Sequence, residues 1–445
     1  MREHDWKILP VAEKIGEQAH DLMAELYPIC RSITGNGVRQ TLAILGRKIP
    51  LEIHEIPTGT SVFDWTIPRE WNLRDAYVKN PSGEKIINFQ RSNLHVVNYS
   101  VPVHKTVTLS ELKKHLHTLP GHPDWIPYKT SYYRESWGFC LSHNQLVGLG
   151  EGDYEVCIDA TLEDGNLTYG ELYLPGSQPD EILISCHICH PSLCNDNLSG
   201  ASLAALLGEH LQALPRRYSY RILFIPGTIG AITWLALNRE SATMIKHGLV
   251  ISGVGDGGKF TYKKSRRGTA GIDRAVAHVL LHSGQNHAIV DFTPYGYDER
   301  QYCSPGFNLP VGRFSRTPFG EYPEYHTSAD NLDFVKPGAL GESFVRLREI
   351  LYILENDGTF LNQNPYCEPQ LGKRGLYDSI GDNELAMLWV LNLSDGNNSL
   401  LDIAEKSGLS FSAVHRVTEL LCGHSLLERL ENLTETLRLV ERKGD

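Results

Sequence analysis

Apolar residues first recur at helical spacing. Val11, Ile15, Ala19, Leu22, Met23 and Leu26 predict a helix that Tyr27-Pro28 ends. The turn Ser32 to Gly37 leads into a second helix, 38–48, stopped by Pro50. Alternation from Leu51 to Ile56 predicts a strand. The period then shortens. From Gly59 to about Asn144, β-branched and aromatic runs such as VFDWTIP, AYVKN, KIINF and LHVVNYSVPV alternate with turn signals. One helix, 109–116, interrupts them, and the whole predicts a compact β-rich domain. Its aromatic residues serve as core or as one wall of a cleft. Strands at 154–158 and 167–174 then read as a hairpin.

Beyond residue 180 strands and helices alternate. Strands are predicted at 182–186, 220–225, 249–252, 288–292 and 309–314. Helices are predicted at 198–213, 230–238, 272–281 and 340–355. Such alternation implies a mostly parallel or mixed sheet covered on both faces. From Gly372 the character changes again. Helices at 383–393, 400–406 and 411–422, with a strand near 426–430, read as a winged-helix-like module. The expected division is an α/β domain from 1–57 and 150–366, an inserted β-rich domain at 58–149, and a winged-helix-like domain at 367–445.

A chain of 445 residues with 41% hydrophobic and 21% charged residues matches a folded soluble protein of two or three domains. The net charge of −11 argues against non-specific nucleic-acid binding. No apolar run reaches the about 18 residues of a membrane span, so no membrane partner is expected. The N-terminus lacks a secretory pattern. Nine mostly scattered cysteines suit reduced thiols in the cytoplasm. The C-terminal module itself, residues 371–445, carries eight Lys/Arg against twelve Asp/Glu. Its candidate recognition helix offers only His415 and Arg416 as cationic contacts, so protein packing, in a homo-oligomer, is expected rather than DNA recognition.

The densest chemistry is in EILISCHICHPSLCNDNLSGASLAAL, residues 181–206. His187, Cys189, His190, Cys194 and Asp196 follow a predicted buried strand and precede an apolar helix. In open α/β sheets, sites form outside the carboxyl ends of strands. Imidazole and carboxylate in that place are zinc-type ligands. Three other patterns are set aside. Gly253 to Gly258 does not open a helix, as a dinucleotide loop must. No Gly-x-Ser-x-Gly elbow occurs in the α/β core. Cys186-x-x-Cys189 lacks the second pair of a zinc knuckle.

The stretches CRSITGNGVRQTL, FDWTIPREWN, IPYKTSYY, WGFCLS, CHICHPSLCNDNLSG, FIPGTIGAITWL, YKKSRRG and EYHTSADN resemble a largely uncharacterised aminopeptidase-like family. The resemblance spans nearly the whole chain. It implies a zinc-aminopeptidase-like mixed sheet flanked by helices, an inserted β-rich domain and a C-terminal winged helix. In the zinc aminopeptidases, a His after one strand, an Asp before a helix and a late His hold the first metal. The Asp bridges to a second. His187, Asp196 and His326 match those positions. Asp256, in an acidic position after a later strand, is the candidate for the second ion. His190 lies outside the peptidase pattern, either as a loop residue or as an extra ligand. The resemblance thus implies one or two zinc ions.

The chain departs from the peptidases at one decisive place. They carry two consecutive glutamates after the next strand, a general base and a ligand. Here that place reads Pro226-Gly227-Thr228. The His-x-Asp of the peptidases is His187-Ile188-Cys189. The candidate substitute acids are Glu324, two residues from His326, then Glu299, with Glu321 also near. Arg300 and Tyr297, on a loop that borders substrate in the resembling enzymes, are candidate substrate contacts; Arg300 could equally sit in a structural ion pair. The expected function is a zinc-dependent hydrolase of a small peptide or aminoacylated metabolite. The alternative is a non-hydrolytic binding or scaffold protein on the same fold.

Overall fold

The computed structural model describes residues 6–376 and 384–430. The chain divides into two compact units, Met1–Asp273 with Gln285–Arg348, and Arg274–Gly284 with Glu349–Asp445.

The first unit is built on an eight-stranded mixed sheet. Its strands are β1 (Glu52–Pro57), β2 (Asn166–Leu174), β3 (Glu181–His187), β4 (Ser219–Ile225), β5 (Ile245–Ile251), β6 (Phe260–Lys263), β7 (His287–Val290) and β8 (Val311–Ser315). They lie in the order β1-β2-β4-β3-β5-β8-β6-β7. The central run β4-β3-β5-β8 is parallel. Every residue of β3 and of β4 is buried. That is why both read as short, nearly continuous apolar runs rather than alternating ones. The helices Ala12–Leu26 and Ser199–Gln212 carry buried apolar residues into this unit.

The second sheet of the unit has four strands. Lys85–Asn88, Glu70–Lys79, Asp153–Glu163 and Val103–Thr108 pair antiparallel in that order. The sequence predicts that 154–158 forms a hairpin with 167–174. Instead Asp153–Glu163 pairs with Glu70–Lys79 and Val103–Thr108, while β2 pairs with β1 and β4. Adjacency in sequence gives no information about which of two neighbouring sheets a strand joins; cross-strand partners decide it. The β-rich segment therefore runs on past residue 149 to Glu163.

The second unit holds three helices, Glu384–Leu393, Leu400–Ser407 and Phe411–Gly423. A three-stranded sheet orders Asp395–Ser399, Thr359–Asn362 and Leu427–Arg429. Ser399 and Asp402 form a capping box, and Gly408, at φ 71°, ends that helix. Met387, Val390, Leu400, Ile403, Phe411, Val414 and Leu421 are buried. This is the predicted winged helix. Among the described residues no helix is long and apolar enough to cross a membrane.

Candidate metal centre

The site forms at the carboxyl ends of β3 and β4, where the parallel strands open. His187 is the last residue of β3. Asp196 precedes the helix Ser199–Gln212 across a cis peptide to Asn197. Gly200 permits this placement. A Cβ there would meet Ile251 O at 2.5 Å, so only glycine lets the helix start so close to the end of β5. Asn197 ties the same junction together, donating to Ile251 O at 2.9 Å and accepting from Gly200 N.

Three imidazoles converge on the fully buried Asp196. His187 Nε2 is 2.8 Å from its Oδ1, His326 Nε2 is 3.0 Å from its Oδ2, and His190 Nε2 is 3.9 Å from Oδ2. Ligand atoms of His187, His190 and Asp196 all lie within 4.8 Å of one another. Neighbouring ligands on a tetrahedral zinc with bonds of 2.0–2.1 Å would be about 3.4 Å apart. Asp196 Oδ2 and His326 Nε2 face each other in this buried pair, and neither has a further hydrogen-bond partner. A buried carboxylate ringed by imidazole nitrogens is a donor set that fits a zinc ion.

The electrostatics agree. Burial alone would raise the Asp196 carboxyl, but His190, His187 and His326 hold it well below the usual range. Burial holds His190 well below its usual range, and its Nδ1 lies 3.2 Å from Cys189 Sγ, which leaves Nε2 as the atom turned to Asp196. Burial would also lower His187, yet Asp196 outweighs it and the net direction is upward. The buried Asp196 carboxylate thus draws positive charge to its side, and His187 is the imidazole it favours in the charged form.

Neighbours outside the cluster fix its geometry. Asp330, itself buried, accepts from the backbone N–H groups of Asn195 at 2.6 Å and Asp196 at 3.0 Å. The buried guanidinium of Arg31 donates to His190 O at 2.9 Å. Tyr128 donates its backbone N–H to His326 O at 2.7 Å, and its ring packs against both His190 and His326. His326 sits at φ 55°, held there by this pairing of segment 126–128 with 326–328. Tyr297 stacks on His187, with centroids 5.0 Å apart.

Beside the cluster is a cavity of about 230 Å³. His187, His190, Gly227, Thr228, Asp298 and Arg300 line it, with an aromatic wall of Tyr295, Tyr297, Phe319 and Tyr325. The Arg300 guanidinium approaches Thr228 Oγ1 at 3.4 Å, and its Nε has no partner. Both oxygens of Asp298 are buried and unpartnered, and burial pushes this carboxyl up to about 6.

Three sequence expectations change here. Asp256, like His326, lies outside the group of ligand atoms that are all within 4.8 Å of one another, and unlike His326 it makes no contact with Asp196. Its oxygens accept from Asn195 Nδ2, Gly258 N and Thr317 Oγ1, at 2.9, 2.7 and 2.6 Å, and have little capacity left for a cation. Glu299 holds Lys263 through Oε1 in a buried ion pair at 2.9 Å; its Oε2 is buried without a hydrogen-bond partner, but the residue does not line the cavity. Lys263 also donates to Tyr295 O, so the pair pins the loop that carries Tyr297 and Asp298. Glu324 is half-buried, does not line the cavity, and contributes its backbone carbonyl to Thr327. The acid at the cluster is Asp298, one residue before the candidate Glu299. The signal was the acidic doublet Asp298-Glu299; which member faces the cavity depends on where Lys263 lies.

Residues 20–357 match a family model described as a domain of unknown function, DUF4910. The chain belongs to that family. Residues 358–429 match a winged helix-turn-helix model. A Clostridium acetobutylicum protein is 53% identical over 428 residues, 95% of this chain and 98% of its own. Its name gives it an aminopeptidase-like domain and, provisionally, a place in polysaccharide biosynthesis. A crystal structure from the same organism, provisionally called a peptidase, superposes with a TM-score of 0.91 at 53% identity, covering 94% of this chain and 97% of that one. A zinc aminopeptidase from Bacillus subtilis superposes at 0.56 with 11% identity, over 76% of this chain and 94% of that one. At that identity the likeness speaks for the fold alone. The DUF4910 chain thus has an aminopeptidase-like α/β fold followed by a winged helix.

Proposed function

We propose that this protein is a zinc-dependent amide hydrolase with one metal ion, acting on a short peptide or an aminoacylated small molecule. The observation that carries it is the convergence of His187, His190 and His326 on Asp196, at the edge of a cavity where Asp298 has no other partner. When bound there, zinc would polarise an amide carbonyl and lower the pKa of water. Asp298 accepts a proton from water and returns it to the leaving amine, the work assigned to glutamate in peptidases. Arg300 receives a carboxylate or carbonyl of the substrate, since a guanidinium suits both. The aromatic wall excludes bulk water. A single ion is favoured because Asp256 is saturated and Gly227-Thr228 brings no carboxylate. The Clostridium relative's name points to polysaccharide biosynthesis, and an amino sugar acylated by an amino acid falls within this substrate class.

The second reading, a non-hydrolytic binding protein, draws on that same missing glutamate pair. Metal analysis by mass spectrometry on untagged protein and on His187→Ala, followed by an amide panel on wild type and Asp298→Asn, separates them. One zinc per chain, lost in His187→Ala, with hydrolysis lost in Asp298→Asn, supports the hydrolase. Zinc without hydrolysis of any amide supports the binding protein. No zinc overturns the metal reading. All nine cysteines are free thiols, which supports a cytoplasmic setting. The acidic C-terminal unit supports protein contact within a homo-oligomer. A monomer alone by analytical ultracentrifugation at micromolar concentration would overturn that.

A further inference from the structure

The first unit contains a larger cavity, of about 480 Å³, that the hydrolase reading does not use. Ile8, Pro10, Gln18, Glu209, His210, Ala213, Leu214 and Arg348 line it. It opens at the C-terminal end of the helix Ser199–Gln212, whose other end follows Asp196. Fourteen residues span roughly 21 Å, so this cavity and the metal cluster are separate places.

Arg348 is the notable wall. It is 1% exposed, yet its Nε and Nη1 are buried without a hydrogen-bond partner. The Trp6 ring covers one face of the guanidinium at 4.7 Å, and the indole N–H is fixed on Pro215 O. A ring satisfies the face of a guanidinium but none of its in-plane N–H donors. A buried cation with unused donors is costly, and an anion in the cavity would relieve it. The one carboxylate on the lining, Glu209, already faces Lys48 at 3.7 Å. His210 beside it is a further donor. Gln18 is the remaining polar residue of the wall; Ile8, Pro10, Ala213 and Leu214 are apolar, and the adjoining Ile8, Leu9 and Val11 are exposed at 69, 39 and 68%.

We propose that this cavity is a second ligand site that takes a small aliphatic carboxylate, its charged end on Arg348 and His210 and its chain along Ile8, Pro10, Ala213 and Leu214. One buried cation beside the apolar residues Ile8, Pro10, Ala213 and Leu214, with Glu209 on the same wall, selects a monoanion with an apolar body over a compact polyanion.

Titration calorimetry on the full chain tests this with hexanoate, its neutral isostere hexanamide, and inorganic phosphate. Hexanoate is expected to bind one to one, and hexanamide roughly tenfold or more weakly, because a charged hydrogen bond is lost. Arg348→Met should abolish hexanoate binding. Ala213→Phe, at an exposed position on the wall, should block the cavity while leaving thermal unfolding unchanged. It keeps the test decisive if Arg348→Met fails to fold. Binding should persist in Arg300→Ala, which separates this site from the hydrolase cavity. Equal affinity for hexanamide, binding by phosphate alone, survival in Ala213→Phe, or loss in Arg300→Ala would each overturn the assignment.

Discussion

A Cβ added at Gly227 would stand 3.6 Å from Asp298 Oδ2 and 3.1 Å from His187 Cβ. A side chain at residue 227 would thus lie between His187 and the carboxylate of another loop. Asp298 occupies the neighbourhood that a side chain on residue 227 would reach, so a carboxylate arrives at this place by a different route through the fold.

Asp298→Asn is isosteric and removes the proton acceptor. Turnover of any amide substrate should fall about 10²–10⁴-fold. Zinc content should stay at the wild-type level, because Asp298 is not among the converging ligands. Loss of zinc together with activity would mean that Asp298 is a ligand instead.

Gly227→Ala crowds His187, since 3.1 Å is tighter than ordinary carbon contact. Asp330→Asn weakens the grip on the backbone of Asn195 and Asp196. Each should lower zinc affinity by about 10–100-fold, as is typical for residues that orient ligands. Competition with a chromophoric chelator measures this. Unchanged affinity in both would show that the ligands hold themselves in place.

Glu299 and Asp298 should separate cleanly. Glu299→Gln leaves Lys263 charged and buried without its partner, at a cost of about 3–5 kcal/mol. The urea midpoint should drop strongly. Activity per folded molecule should fall less than in Asp298→Asn. The reverse order would reinstate Glu299 as the working acid.

Glu70 links the β-rich sheet to the helix Asn36–Leu45. Arg39 contacts both its oxygens, at 2.7 and 2.8 Å, and Asn166 N adds a third bond. The Arg39 hydrogen bonds pull this carboxyl down from 4.5 to about 2. A depressed carboxyl contributes stability that is complete above the unfolded value and is lost as pH falls from 4.5 toward 2. Partial solvent screening limits this to about 1–2 kcal/mol. Glu70→Gln should therefore lose that amount at pH 7 and show a shallower acid decline. Parallel curves would show that Glu70 gains nothing on folding.

The winged helix should not shift duplex DNA at physiological salt in a mobility assay. His415 is buried and bonded to Tyr352 at 2.6 Å, which leaves Arg416 as the exposed cation of the helix Phe411–Gly423. Salt-sensitive duplex binding would mean that phosphate contacts come from elsewhere on the chain.

The chain's periodicities determined a good deal on their own. The central strands announce themselves because burial on both faces favours nearly continuous apolar runs, and the capped helices of the C-terminal unit because Ser399, Gly408 and Ser410 are local signals. His187, His190 and Asp196 stood out as a candidate group because ligand chemistry restricts residue type and the three lie within ten positions; His326 came only from the resemblance to the zinc aminopeptidases. Partnership was not legible. Three questions are settled by residues tens of positions away: which sheet Asp153–Glu163 joins, whether Asp256 keeps a free lone pair, and whether Lys263 neutralises Glu299 or leaves it for chemistry. The physical reason is common to all three. A side chain's chemical type is fixed by the sequence, but its remaining hydrogen-bonding capacity is fixed by what the fold places against it.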